Sequence, residues 1–253
     1  MLFRSATFAD TAITPFAHST SGSTTTFTSG LAALQAAEDA KRNVLEIAAR
    51  LLEVKPNELK LADGFVSVMD APEIRIPFGH VIRRNQDRVV VGKASLRSGS
   101  RTHIINSFAA HFAEVEVDPE TGSVRVLRYV AVHDSGRIIH SETARGQIIG
   151  GVVQGLGYAL MEDIPMDPES GAPLTLNLDS FKIPNLVDVP PIEPILIEHP
   201  DPVGSYGAKA LGEPPLVPVA AAIANAVYDA TGVRIRDLPI TAEKVLHGLQ
   251  QRR

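Results

Sequence analysis

No cysteine occurs anywhere in the 253 residues. Disulfides, thiolate-bound structural zinc and iron–sulfur clusters ligated by this chain are thereby excluded. If the chain takes part in electron chemistry, the centre that passes electrons on lies elsewhere. Long hydrophobic runs are also lacking: the longest, "VPVAAAIANAVY", is too short and too alanine-rich to span a bilayer. The N-terminal stretch "MLFRSATFADTAITPF" has no secretory core, because Arg4, Asp10 and Pro15 interrupt it. No basic block is present, and a net charge of -5 argues against a dedicated nucleic-acid binder. The expectation is a cytoplasmic protein without membrane or nucleic-acid partners. Phosphate-binding Walker loops, a G-x-S-x-G elbow and H-E-x-x-H are missing, and "GLGYAL" lacks the third glycine of a dinucleotide fingerprint.

What is present suits one large domain or two modest ones, with 44% hydrophobic content. The Ser/Thr-rich first 29 residues read as loop. Leu34, Ala37, Val44, Ile47, Ala48 and Leu51 then form one helical stripe, with Ser29 as its N-cap and Lys55-Pro56 as its end. "ELKLADGFVSV" reads as a hairpin turning at Asp63-Gly64. A short helix near His80 and a strand near Val89 follow. Residues 111–133 read as a second hairpin, with Ala113, Val115 and Val117 on one face and Glu114 and Glu116 on the other. From Ser141 a helix is predicted despite five glycines up to position 157. Each glycine costs about 1 kcal/mol there relative to alanine, so close approach of another backbone or a ligand is implied. Residues 163–203 read as an irregular, proline-rich connection. Pro214 and Pro215 are expected to open a helix that Gly232 stops. "VRIRDLPIT" reads as a strand, and Thr241 as the cap of a last helix. Helices and strands mix without βαβ regularity, so the fold class is α+β.

Several residues carry chemical potential, each with an ordinary alternative. His133, Asp134 and His140, with His103 and His111, are metal-ligand types. Their spacing matches no helix-face pair, and solvated strand-end histidines are the simpler reading, so no side chain is assigned to a metal. The glycines of 146–157 suit tight helix packing. Gln147 and Gln154 on the same stretch offer amides to a flat heterocycle. "SGSTTT" is a flexible turn or a set of hydroxyls and amides for a phosphate or pterin. Glu213, between Gly212 and Pro214-Pro215, is either a helix cap contributing about 0.3–1 kcal/mol or a carboxylate base held in place.

Together these segments resemble the molybdenum-binding subunit of the xanthine dehydrogenase and aldehyde oxidase family. "GAKALGEPPLVPVAAAIANAVYDATGVRIRDLPITAEKVL" resembles the family's C-terminal signature. "GQIIGGVVQGLGYALMED" resembles its pterin-contacting glycine helix, and "AEVEVDPETGSVRVLRYVAVHDSGRIIH" the hairpin and loop before it. "SGSTTTFTSGLAALQAAEDA" resembles the loop beside the metal and the helix that follows. The resemblance implies the C-terminal part of a molybdopterin-binding domain over 6–253. It places Glu213 at the catalytic glutamate, Gly22 beside the metal, Ser23 and Thr25 on the cofactor, and Gln147 at the pterin.

The implied activity is oxidoreductase chemistry of the molybdenum hydroxylase type. An aldehyde or N-heterocycle receives a water-derived oxygen while hydride passes to the molybdenum centre and a carboxylate takes up the proton. The implied cofactor is a molybdenum-pterin, as molybdopterin or its cytosine dinucleotide. Its dithiolene holds the metal in the family, so the lack of cysteine is no obstacle. Neither an iron–sulfur cluster nor FAD is expected on this chain. The family's earlier glycine loops have no counterpart here, and "MLFRS" resembles a translated adapter. The expectation is therefore a fragment, incomplete and inactive alone. Its implied partners are the missing N-terminal half, an iron–sulfur subunit, an FAD subunit and a small-molecule substrate. The competing reading is a non-catalytic cofactor-binding or assembly module of the same fold.

Overall fold

Residues Thr25–Leu52 form a long helix, α1, in which Val44, Ile47 and Ala48 of the predicted stripe are buried, whereas Ala37 and Leu51, predicted on the same stripe, are exposed. The computed structural model that shows this describes residues 6–7, 10–16, 19–85, 89–96 and 104–252. The suspected adapter Met1–Ser5 and His103 lie outside the described residues. The chain divides into two compact units, Met1–Gly99 and Ser100–Arg253.

In the first unit α1 starts earlier than its predicted cap at Ser29. Thr24 is the N-cap, and the extra turn carries Phe27, which is buried. Strands β1 (Leu59–Ala62) and β2 (Phe65–Val68) form the expected hairpin. Asp63 and Gly64 take φ of 50° and 79°, the left-handed pair that a tight two-residue hairpin turn requires. A third strand, β3 (Ala71–Pro77), was not legible because prolines punctuate it. It is an edge strand in the order β1-β2-β3, where a missing N–H is tolerated. Helix α2 (Phe78–Arg84) covers the prediction near His80. The segment at Val89 is no strand. It is pinned to α1 instead, with Val91 O accepting from Asn43 Nδ2 at 3.0 Å and Lys93 N donating to Asp39 Oδ2 at 2.9 Å. Val44, Ile47, Ala48, Leu59, Val66 and Val81 make this unit's core.

The second unit is built on β4 (Phe108–Val117) and β5 (Val124–Asp134), an antiparallel pair with a bulge after Glu114. A parallel strand, β6 (Ile192–Ile197), lies on the other side of β5, inside the stretch predicted to be irregular. Its pairing partner is more than fifty residues away, beyond the range of local pattern. Helices α3 (Ser141–Leu160) and α4 (Val219–Thr231) cover the inner sheet face. Tyr129, Ala131, Ile148, Val152, Leu156, Ile223 and Val227 are packed there. Gly232 ends α4 at φ 71°, as predicted, but α4 begins at Val219 rather than at Pro214. Residues 233–241 form no strand. Val233 and Ile240 are buried, and Ile240 N donates to Ala159 O at 2.7 Å, so this extended run binds the end of α3 instead of a sheet edge. Thr241 Oγ1 accepts from Lys244 N and caps the last helix, α5 (Ala242–Gln250). Mixed sheets with packed helices are an α+β fold. No helix among the described residues is long and apolar enough to cross a membrane.

Candidate active site

Glu213 is exposed and sits on a turn, with its carbonyl accepting from Leu216 N at 3.0 Å. Since α4 starts only at Val219, Glu213 stands outside the first helical turn, to which dipole stabilisation is confined. Helix capping therefore does not account for this carboxylate. Its backbone is pinned on both sides. Downstream, Pro215 is fully buried against α3, where a Cβ added to Gly151 would come within 2.6 Å of the proline ring. Upstream, Ala210 O accepts from Ser107 Oγ at 2.5 Å. Lys209 Nζ reaches Asp134 Oδ2, the end of β5, at 2.8 Å.

The glycines of α3 divide between two faces. Gly151 and Gly155 face inward, against Pro215 and Val219, and this is the close helix packing that their number implied. Gly146 and Gly150 face open space: nothing lies within 4 Å of a Cβ built on either. Gln147 and Gln154 are exposed and lie at three- and four-residue spacing from Gly150, so the outward face is a flat strip edged by amides. Gln147 is also one turn from Gly151, which seats Pro215 just beyond Glu213. Within the second unit, α3 thus links the two predicted residues.

Gly22, Ser23 and Thr25 belong to the first unit. Gly22 and Ser23 both take φ of 58°, and Thr25 is the first residue of α1. Thr24 adopts right-handed geometry with no side-chain cap bond, its hydroxyl donating instead to Ser21 O at 3.0 Å. Left-handed followed by right-handed residues turn successive N–H groups to one side, a shape that receives anions.

Neither His111 nor His133 is a solvated strand-end histidine. His133 is completely buried, and its Nε2 lies 2.7 Å from His111 Nε2, while His111 Nδ1 lies 3.0 Å from the Tyr129 hydroxyl. Burial, then the neighbouring His133, pushes His111 down to about 4, and burial lowers His133 as well. His140 caps α3, its Nδ1 accepting from Thr143 N at 3.2 Å. The Lys209–Asp134 pair is not legible in the sequence. A lysine in "GAKALGE" is a weak signal without its aspartate, which lies seventy-five residues earlier.

In the second unit the amide-edged strip on α3 suits a flat polar heterocycle. In the first unit the 22–25 turn has the left-handed-then-right-handed shape of an anion-receiving loop. Among the described residues no three His, Cys, Asp or Glu side chains gather as metal ligands.

The profile of the molybdopterin cofactor-binding domain matches residues 5–190. The chain belongs to this family. It is 34% identical over 245 residues to the xanthine dehydrogenase molybdenum-binding subunit of Escherichia coli O157:H7, covering 93% of this chain and 32% of that protein. With the aldehyde oxidoreductase molybdenum-binding subunit PaoC of E. coli K12 it shares 44% identity over 151 residues, 59% of this chain and 21% of the relative. The fold matches a solved Cu,Mo-CO dehydrogenase with a TM-score of 0.79 and 25% identity, over 95% of this chain and 31% of that one. This member of the molybdopterin-binding family thus spans about a fifth to a third of the length of the relatives it matches.

Proposed function

We propose that this chain is the C-terminal part of a molybdenum hydroxylase subunit, oxidising an aldehyde or N-heterocycle with Glu213 as general base. The observation that carries this is a carboxylate on a backbone pinned at Lys209 and Pro215, outside the first turn of α4. Similarity to aldehyde oxidoreductase and xanthine dehydrogenase molybdenum-binding subunits supports the reaction class. When bound, the molybdenum-pterin supplies the water-derived oxygen and accepts the electron pair that leaves the substrate carbon. The chain's own residues hold and move the rest. One Oε of Glu213 takes the proton released as the oxygen nucleophile attacks, which requires hydrogen-bond reach rather than an unusual basicity. Gln147, with Gln154 beside it, hydrogen-bonds the pterin along the outward strip of α3. Ser23 and Thr25 would hydrogen-bond the cofactor through their hydroxyls, and Gly22 would let the backbone come close to the metal. Onward electron transfer falls to an iron–sulfur subunit and an FAD subunit. The remaining length of the subunit supplies the substrate-orienting residues.

Glu213→Gln in the full-length subunit with its redox partners tests the assignment. The amide keeps the shape but takes no proton, so turnover should fall by about 10²–10⁴-fold with molybdenum content unchanged. A cofactor-replete variant running near the parent rate would remove Glu213 from catalysis and leave a cofactor-binding module.

A further inference from the structure

Side chains alternate along a strand, so the register of β4, β5 and β6 fixes which residues share the outer face of the sheet. Tyr129, Ala131 and His133 are buried on the inner face, which sends Val130 and Val132 outward. Beside them stand Phe108 and Phe112 on β4 and Ile195 and Ile197 on β6. Phe108 is 64% exposed, Phe112 63%, Ile197 50% and Ile195 39%. A single exposed apolar residue is ordinary, but a contiguous group on one face marks a contact surface. Polar groups bound it. At one end Arg128 pairs with Glu193 at 2.7 Å, and Glu114 lies opposite Arg128. At the other, Asp134 lies between Phe108 and Ile197 and is closed off by Lys209. An apolar centre within a polar rim is the anatomy of an interface.

β4 is also an edge of this sheet. Edges left in water are usually short or broken up by lysine or proline. β4 runs for ten residues, "FAAHFAEVEV", with neither, and its bulge comes only after Glu114. Face and edge alike have the composition of interior surface. The place of the patch indicates what covers it. Ser107, next to Phe108, holds Ala210 O, and Asp134 holds Lys209, so the patch borders the segment that leads to Glu213. Polypeptide that completes a site around Glu213 has to approach this end of the sheet. The relatives have ample length for it, since this chain spans 32% of one and 21% of the other.

We propose that the outer face of the β4–β5–β6 sheet is the docking surface for an apolar segment of the remaining polypeptide of the same subunit, seated across Phe108, Phe112 and Ile195. The inference rests on the reading of this chain as the C-terminal part of a longer subunit.

The lack of cysteine makes a single introduced thiol a clean reporter in this chain. Ala110 is exposed at the centre of the face, opposite Val132, which in turn pairs with Ile195. Ala110→Cys should react with a maleimide in the 253-residue chain at the rate of an exposed thiol. In the holoenzyme the peptide carrying residue 110, read by mass spectrometry, should react at least roughly tenfold more slowly, because the reagent must wait for the face to open. A photoreactive p-benzoylphenylalanine in place of Phe112 identifies the cover. Its main cross-link in the holoenzyme should fall upstream of these 253 residues, in a product with the mass of one subunit. Equal labelling in chain and holoenzyme would overturn the proposal. So would slow labelling in the 253-residue chain itself, since the chain or a second copy would then cover the face. A main cross-link within the 253 residues, to another copy, or to the iron–sulfur or FAD subunit would also overturn it, as would none. Failure of the underlying reading looks different. Molybdenum and turnover in the 253-residue chain alone would end the fragment reading, whereas equal labelling with an inactive, metal-poor chain ends only the docking inference.

Discussion

His133 and His111 share a single proton between two ring nitrogens, because at 2.7 Å one must donate and the other accept. Burial, with Tyr158 nearby, pushes the Tyr129 phenol upward, so it stays protonated and donates to His111 Nδ1. His111 then donates from Nε2, and the remaining proton of His133 sits on Nδ1, which has no partner among the described residues. Both rings are neutral in the folded state, with His111 lowered to about 4 from 6.5. A depressed histidine means that the unfolded chain binds more protons between those values, so stability rises with pH there and falls on acidification. The midpoint of urea unfolding should therefore drop as pH goes from 6.5 towards 4, and His111→Gln should flatten that slope. A slope unchanged in His111→Gln would place the titration elsewhere. The Asp134 carboxylate acts in a lower window. Burial alone would raise it, but the Lys209 and Gly136 hydrogen bonds and the charges of Lys209 and His199 outweigh burial and hold it below 3.8. Its contribution is present above 3.8 and is lost only as pH falls below that. The sequence marks these residues as polar strand-end groups. Their burial comes from α3 and α4 closing over the inner sheet face, which no local window contains.

At the scale of elements, α3 shows how far composition carries. Five glycines in a helix signal a close approach, yet composition cannot say which of them are approached. The structure separates neighbours: Gly151 is pressed against Pro215, whereas Gly150 meets nothing. A large side chain is therefore resisted at Gly151 and accommodated at Gly150. Gly151→Leu should destabilise the second unit, typically by about 1–3 kcal/mol, through overpacking. Gly150→Leu should leave stability unchanged or raise it by up to about 1 kcal/mol, since leucine is the better helix former. If the outward strip holds the pterin, Gly150→Leu in the full-length subunit should nevertheless lower molybdenum content. Thermal unfolding of the chain and metal analysis of the subunit read the two effects separately. Full molybdenum loading in Gly150→Leu would move the pterin off this strip. The boundaries of α4 teach a related lesson. Pro214 and Pro215 look like a helix start because proline suits a first turn, but Pro215 is held in place by Gly151 and the helix waits until Val219.

For the whole molecule, the relatives are several times longer than this chain, and the proposed cofactor cage draws on polypeptide beyond it. Purified 253-residue protein should accordingly bind little molybdenum and oxidise neither purines nor aldehydes, measured by metal analysis and dye-linked turnover. Stoichiometric metal with turnover would refute the fragment reading. The α+β class, α1, both hairpins, the glycine helix and the cap at Thr241 could be read from the order of residues alone. Each is governed by contacts within a few positions: side-chain periodicity, left-handed turn residues and capping hydroxyls. The family was equally legible, carried by contiguous stretches such as "GAKALGEPPLVP" and "GQIIGGVVQGLGYAL". Tertiary structure alone decided the rest. It set β6 beside β5, sent residues 233–241 to the end of α3 instead of to a sheet, buried His133, and joined Lys209 to Asp134. These outcomes depend on segments far apart in the chain competing for the same partners, and a hydrogen bond or a buried charge is settled only when both halves meet.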